Sequence, residues 1–149
     1  MQPVSFIHHA AFTVSNMERS IAFYRDILGM EVVWDSVQEG VRYEGLVCDK
    51  ITGCPGTEQR VVYMGIGGSF LELVEYSPTG KALEDHKASD IGASHICFKT
   101  DDIKALYKRL QSSNVKVHCS PQEGISNLIM YFRDPDGIIL EVIEGKTKV

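Results

Sequence analysis

Ser69-Phe70-Leu71-Glu72-Leu73-Val74-Glu75 reads as a β-strand with a carboxylate at its centre. Nearly the same run recurs as Ile139-Leu140-Glu141-Val142-Ile143-Glu144. An acid flanked by apolar residues on a strand is expensive to bury unless a positive group meets it. Two such acids, in matching places of two similar stretches, point to one positive object that meets both.

Working outward, each acid strand closes the same series of elements. Phe6 to Val14 reads as a strand, and Ser15 with Glu18 as a capping box opening a helix. Met17, Ile21, Tyr24 and Leu28 follow at helical spacing, and Gly29 supplies a left-handed stop. Strands are expected at Met30–Trp34, Arg60–Ile66 and Phe70–Tyr76, with Gly67-Gly68 as the hairpin turn. Residues 38–58 read as a loop with a turn at Gly53-Cys54-Pro55-Gly56. Residues 77–92 read as a polar connector with one helical turn near Ala82-Leu83. The pattern then restarts, with a strand from Ser94 to Lys99 and a helix capped by Asp101 and stopped at Asn114. Strands follow at Val115–His118, Asn127–Phe132 and Ile138–Ile143, the last two joined by the turn Asp134-Pro135-Asp136-Gly137. The order is β-α-β-β-β twice, an internal duplication. His9 falls on His95 and Phe12 on Phe98. From His9 to Glu72 is 63 residues and from His95 to Glu141 is 46, so the first half carries about 17 more, placed in 38–58.

Alternation across a strand puts Phe12 and Val14, like Ile96 and Phe98, on a face suited to a helix. His9 and His95 fall on the other face. Leu71 and Leu73, like Leu140 and Val142, also face the helix, while Glu72 and Glu141 share the histidines' face. Four groups result: His9, Glu72, His95 and Glu141. Two imidazoles and two carboxylates suit Zn, Ni, Co, Mn or Fe. A single strand histidine or glutamate is usually hydrogen-bonded or solvated; two equivalent pairs in a repeat favour a metal site. His8 falls on the helix face and is set aside. Glu75 and Glu144 read as solvent-facing, His86 and His118 as surface residues, and Cys97 as a small buried thiol.

The chain is long enough for a real core. Its net charge of −5 argues against nucleic acid or anionic membrane as the default partner. No apolar run approaches a membrane span, and no secretory signal is visible. Cys48, Cys54, Cys97 and Cys119 contain no Cys-x-x-Cys pair and read as reduced thiols of a cytoplasmic protein.

These residues resemble the vicinal oxygen chelate superfamily, which includes glyoxalase I, methylmalonyl-CoA epimerase, extradiol dioxygenases, and fosfomycin and bleomycin resistance proteins. The resemblance runs through His9-Ala-Ala-Phe-Thr-Val, Ser20-Ile-Ala-Phe-Tyr-Arg-Asp-Ile-Leu-Gly29 and Phe70-Leu-Glu-Leu-Val74. It continues through His95-Ile-Cys-Phe and Asp134-Pro-Asp-Gly-Ile-Ile-Leu-Glu-Val142. It implies an α+β fold of two tandem βαβββ modules, 4–76 and 93–145, whose curved sheets enclose a metal-binding cavity within one domain spanning 1–149. It places the family's four ligand positions on His9, Glu72, His95 and Glu141, and it implies a homodimer.

Three chemistries compete on that scaffold. In the first, a metal polarises a carbonyl and a carboxylate moves the adjacent proton. Glu141 or Glu72 would be the base, and Glu58, just before the third strand, resembles a glutamate of some epimerases. The second is Fe-dependent ring cleavage with O₂, which uses two His and one carboxylate; the extra acid, and the want of a clear histidine beside the ligands to handle protons, count against it. The third is non-catalytic binding, as in drug-resistance proteins, which typically lack the ligands. Arg42, Arg60, Lys81 and Arg133 are candidates for a substrate anion, though surface charge is the plainer role for each. The expected function is a metal-dependent lyase or isomerase acting on a small 2-oxo or hydroxy-carbonyl substrate.

Overall fold

The computed structural model describes residues 3–83, 85–125 and 127–145. The chain forms two compact units, divided between Lys81 and Ala82. Each is built on one four-stranded sheet, so the architecture is α+β with two repeated modules.

The first unit holds β1 (Ala10–Val14), α1 (Met17–Asp26), β2 (Glu31–Asp35), α2 (Leu46–Thr52), β3 (Glu58–Ile66) and β4 (Ser69–Ser77). Its strand order is β1-β4-β3-β2. β1 runs parallel to β4, with Ala11 opposite Glu72; β3 pairs antiparallel with β4 and with β2. The β3–β4 hairpin closes on Gly67 and Gly68, both at positive φ (55° and 79°), which a tight hairpin turn requires at both central residues. The second unit repeats the plan with β5 (His95–Thr100), α3 (Ile103–Ser112), β6 (Gln122–Glu123), β7 (Asn127–Arg133) and β8 (Ile139–Gly145), in the order β5-β8-β7-β6.

One face of each sheet carries the core. Phe12, Val14, Leu71, Leu73, Val62 and Met64 bury against Met17, Ile21 and Tyr24 of α1. Met130, Phe132, Leu140 and Val142 do the same with Ile103 and Leu110 of α3. Each such side chain contributes roughly 1.5–3 kcal/mol when fully buried.

Several local expectations shift. The helix caps are Asn16, accepting from the Arg19 amide at 2.9 Å, and Asp102, accepting from the Ala105 amide at 2.8 Å. Both lie one residue beyond the Ser15 and Asp101 expected. Ser15 instead accepts from the Arg19 side chain, and Glu18 pairs with Arg60 at 2.7 Å. Glu75 and Glu144 are not solvent-facing. Each reaches from its strand to the first amide of the module's helix, Glu75 to Met17 at 3.3 Å and Glu144 to Ile103 at 2.6 Å. A carboxylate there satisfies an orphan N–H and meets the positive end of the helix dipole.

The 38–58 stretch contains α2, and no helical turn forms at Ala82-Leu83. In the second unit, Val115–His118 gives only an isolated bridge, Val117 with Phe132; the edge strand is β6. A bulge between Val32 and Trp34 shifts the β2 register, setting Trp34 against Tyr63 and Asp35 against Val62. The extra residue turns Trp34 off the core face and Asp35 onto it.

Candidate metal centre

In the first unit the register brings β1, β3 and β4 together around Glu72. His9, just before β1, places Nε2 3.4 Å from Glu72 Oε2. Tyr63 sits directly across β3 from Glu72, and its ring meets His9 edge-on, 5.7 Å between centroids. Burial, and then its hydrogen bond to the Glu72 carboxylate, push the Tyr63 phenol up to about 12. Trp34, turned by the bulge, packs on Tyr63 at 6.0 Å, and Tyr43 on Trp34 at 6.4 Å. His8 Nδ1 lies 2.8 Å from His9 Nδ1. Strand parity does not govern His8, because β1 begins only at Ala10.

The second unit reproduces the frame. His95 Nε2 lies 3.1 Å from Glu141 Oε2. Tyr131 sits across β7 from Glu141, its ring 5.3 Å from that of His95. Cys97 sits across from Glu141 on the other side, on β5. It is exposed rather than buried; desolvation around the sulfur, then the Glu141 charge, push its thiol up to about 11. His118 is not an isolated surface residue. Its Nε2 accepts from Arg133 Nε at 3.2 Å, and its ring lies 6.0 Å from Tyr131. Desolvation, then the Arg133 and Lys116 charges, hold its pKa below the usual histidine value.

The carboxylates are the more enclosed members of each pair, with 17% and 16% of the Glu72 and Glu141 side chains exposed against 32% and 41% for His9 and His95. A half-buried acid in that setting needs a positive partner. The 3.1 and 3.4 Å contacts are longer than a tight charge-assisted bond of about 2.7–2.9 Å. The donors are therefore near one another without being locked together. Among the described residues no group of three or more His, Cys, Asp or Glu side chains converges; within each unit one imidazole lies beside one carboxylate. Such nitrogen and oxygen donors fit a divalent first-row ion.

Other candidates lie elsewhere. Glu58 is exposed and shares a face of β3 with Arg60, which lies opposite Glu75; Tyr63 and Glu72 occupy the other face. The structure does not bring Glu58 to the pair. Arg60 is committed to Asp35, through Nε–Oδ1 at 3.3 Å and Nη2–Oδ2 at 2.7 Å, and to Glu18. Arg133 donates to the carbonyls of Gly137 at 2.6 Å and His86 at 2.7 Å. Both arginines act as structural clamps. Tyr63, Tyr131 and Trp34 escaped the sequence reading. The two tyrosines lie 9 and 10 residues before their acids, a signal that the repeat offered.

Two βαβββ modules with a His–Glu pair in matching positions define a duplicated chelate-type fold. Residues 6–142 match the Glyoxalase/Bleomycin resistance protein/Dioxygenase superfamily, and the chain belongs to it. A lactoylglutathione lyase of Salmonella typhimurium is 27% identical over 142 residues, covering 93% of this chain and 91% of the relative. A 2-epi-5-epi-valiolone epimerase of Actinomyces is 25% identical over 144 residues, covering 92% and 78%. A solved glyoxalase family protein from Bacillus cereus superposes with a TM-score of 0.82 over 99% of both chains at 19% identity, a likeness of fold.

Proposed function

We infer that this chain is a metal-dependent lyase or isomerase that moves a proton next to the carbonyl of a small 2-oxo or hydroxy-carbonyl substrate. The observation that carries the reading is the His–Glu pair, formed twice in equivalent register beside a tyrosine. His9, Glu72, His95 and Glu141 are the residues that would hold one Zn, Ni, Co, Mn or Fe ion. When bound, such an ion supplies Lewis-acid polarisation of a carbonyl. The relatives named as a lyase and an epimerase support a reaction of this class.

The chain's own residues divide the remaining work. Tyr63 donates to Glu72, which fixes the orientation of that carboxylate. At Glu141 the neighbouring donor is the Cys97 thiol, weaker than a phenol. Glu141, the less firmly held of the two carboxylates, is the group that takes and returns the proton. Glu72 orients.

The protein in this reading is a cytoplasmic homodimer serving a small-molecule substrate. Its four free thiols and acidic charge support that setting, and among the described residues no helix is long and apolar enough to cross a membrane.

The test is exchange of the proton next to the carbonyl, followed by NMR in deuterated water. Substrates are a simple hydroxyketone and the hemithioacetal of methylglyoxal with glutathione, in the presence of each divalent ion. Exchange that needs the ion supports the reading. Iron-dependent oxygen uptake with a catechol, without exchange, overturns it in favour of ring cleavage.

A further inference from the structure

The two paired histidines are not equivalent, and His8 makes the difference. Both ring nitrogens of His9 are engaged. Nε2 lies 3.4 Å from Glu72 Oε2, and Nδ1 lies 2.8 Å from Nδ1 of His8. His95 has Glu141 and the Tyr131 ring beside it, and among the described residues no side chain bonds its other nitrogen. The matching neighbour there is Ser94.

The His8–His9 contact has the length of a good hydrogen bond. The two rings cross at 85° with centroids 5.1 Å apart. Tyr63 meets the His9 ring at 79° and bonds the same carboxylate that His9 faces. Behind His8, the Phe6 ring lies 6.1 Å away. The His9 ring is therefore held by packing and by both of its nitrogens, and turning it breaks the bond to His8.

The direction of that bond follows from what each group can give. A carboxylate only accepts. With Glu72 alone beside it, Nε2 is the nitrogen of neutral His9 that carries the proton. Nδ1 then offers a lone pair, so His8 donates from its own Nδ1–H. An ion held at Nε2 takes the lone pair there, which puts the His9 proton on Nδ1. His9 becomes the donor and His8 must accept. A ligating histidine ordinarily gives its second N–H to a fixed acceptor. A lysine could only donate to His9 and a carboxylate could only accept from it. An imidazole does either, by moving its proton from one nitrogen to the other, and His8 is exposed to the water that carries the exchange.

We propose that His8 is the positioning residue of His9. It holds the ring through the Nδ1–Nδ1 bond, donating when Nε2 faces Glu72 alone and accepting when Nε2 holds an ion. This rests on the proposed function, in which His9 is a ligand, and it deepens that reading by making the first half of the site the one that is oriented in advance.

The test is long-range proton–nitrogen NMR of the imidazole rings in labelled protein, which reads the protonated nitrogen of each ring. It is run at about pH 8, above the usual histidine range. In chelator-treated protein His8 is expected as Nδ1–H and His9 as Nε2–H. Zinc should reverse both. Zinc affinity, from competition with a chromogenic chelator, should fall about tenfold in His8→Ala and in His8→Phe, the scale of an outer-shell partner. His8→Asn, whose amide can give or take a hydrogen bond, should recover most of that loss. Phenylalanine keeps the ring and removes its nitrogens, so wild-type affinity in His8→Phe would overturn the proposal. Zinc on His9 with the His8 proton unmoved would overturn it alone and leave the proposed function standing. Zinc reaching neither His9 nor His95 would overturn both.

Discussion

The two His–Glu pairs share a frame and differ in their surroundings. Both have an imidazole within 3.4 Å of a mid-strand carboxylate, a tyrosine across the sheet, and a second glutamate two strand residues beyond the next apolar one that caps the helix. Around the first pair lie His8 and an aromatic row. Around the second lie Cys97, His118 and the Arg133 clamp. What repeats is what the proposed ion would demand. What differs would, in the proposed function, serve substrate and proton handling.

Removing a shared carboxylate should have the largest effect. Glu72→Gln and Glu141→Gln should each weaken metal binding by more than the roughly 10- to 100-fold lost with an outer-shell partner, measured by competition with a chromogenic chelator. At saturating metal, Glu72→Gln should retain some proton exchange and Glu141→Gln none. Equal exchange in both would erase the functional difference between the modules.

Next comes a feature of the first module alone. Asp35→Ala leaves the Arg60 guanidinium partly unpaired beside the core, a loss of about 3 kcal/mol by analogy with broken buried pairs, read by denaturant unfolding. Burial opposes the Asp35 charge, but bonds from Arg60 and the Val37 amide outweigh it and keep its pKa below the ordinary value. The unfolded aspartate, near pH 3.9, therefore binds its proton first as pH falls. The Asp35 contribution is complete above about pH 4 and is lost as pH drops through the lower folded value. Asp35→Asn should flatten that acid limb of the thermal-stability profile.

The helix caps give a smaller contrast. Glu144→Gln should lower stability by about 1–2 kcal/mol and Glu75→Gln by less, because the Glu144 contact is the shorter, 2.6 against 3.3 Å. Neither should change metal affinity. His8 gives a contrast of similar size. It contacts the other nitrogen of His9, so His8→Ala should weaken metal binding about tenfold, while Ser94→Ala, at the matching position, should do nothing.

Much of this was legible in the residues. The repeat around Glu72 and Glu141 named both modules and the four residues that the structure pairs two by two. Periodicity located both main helices and seven strands. It failed where a local rule was broken. Strand parity could not reach His8, which precedes β1, nor Trp34, which follows a bulge. The caps at Asn16 and Asp102 each stand beside another good capping residue, and only the backbone decides between neighbours. Glu75 and Glu144 point to the helix face as parity requires. Their partners are backbone amides, which leave no mark in a sequence. The α2 helix is too short for periodicity to show.

The most direct test is elemental analysis of the purified protein after incubation with Zn, Ni, Co and Mn and removal of free ions. The account requires about one ion per chain, lost in both Glu72→Gln and Glu141→Gln and kept in Glu75→Gln. A wild-type chain that takes up no metal under any of these conditions would contradict it.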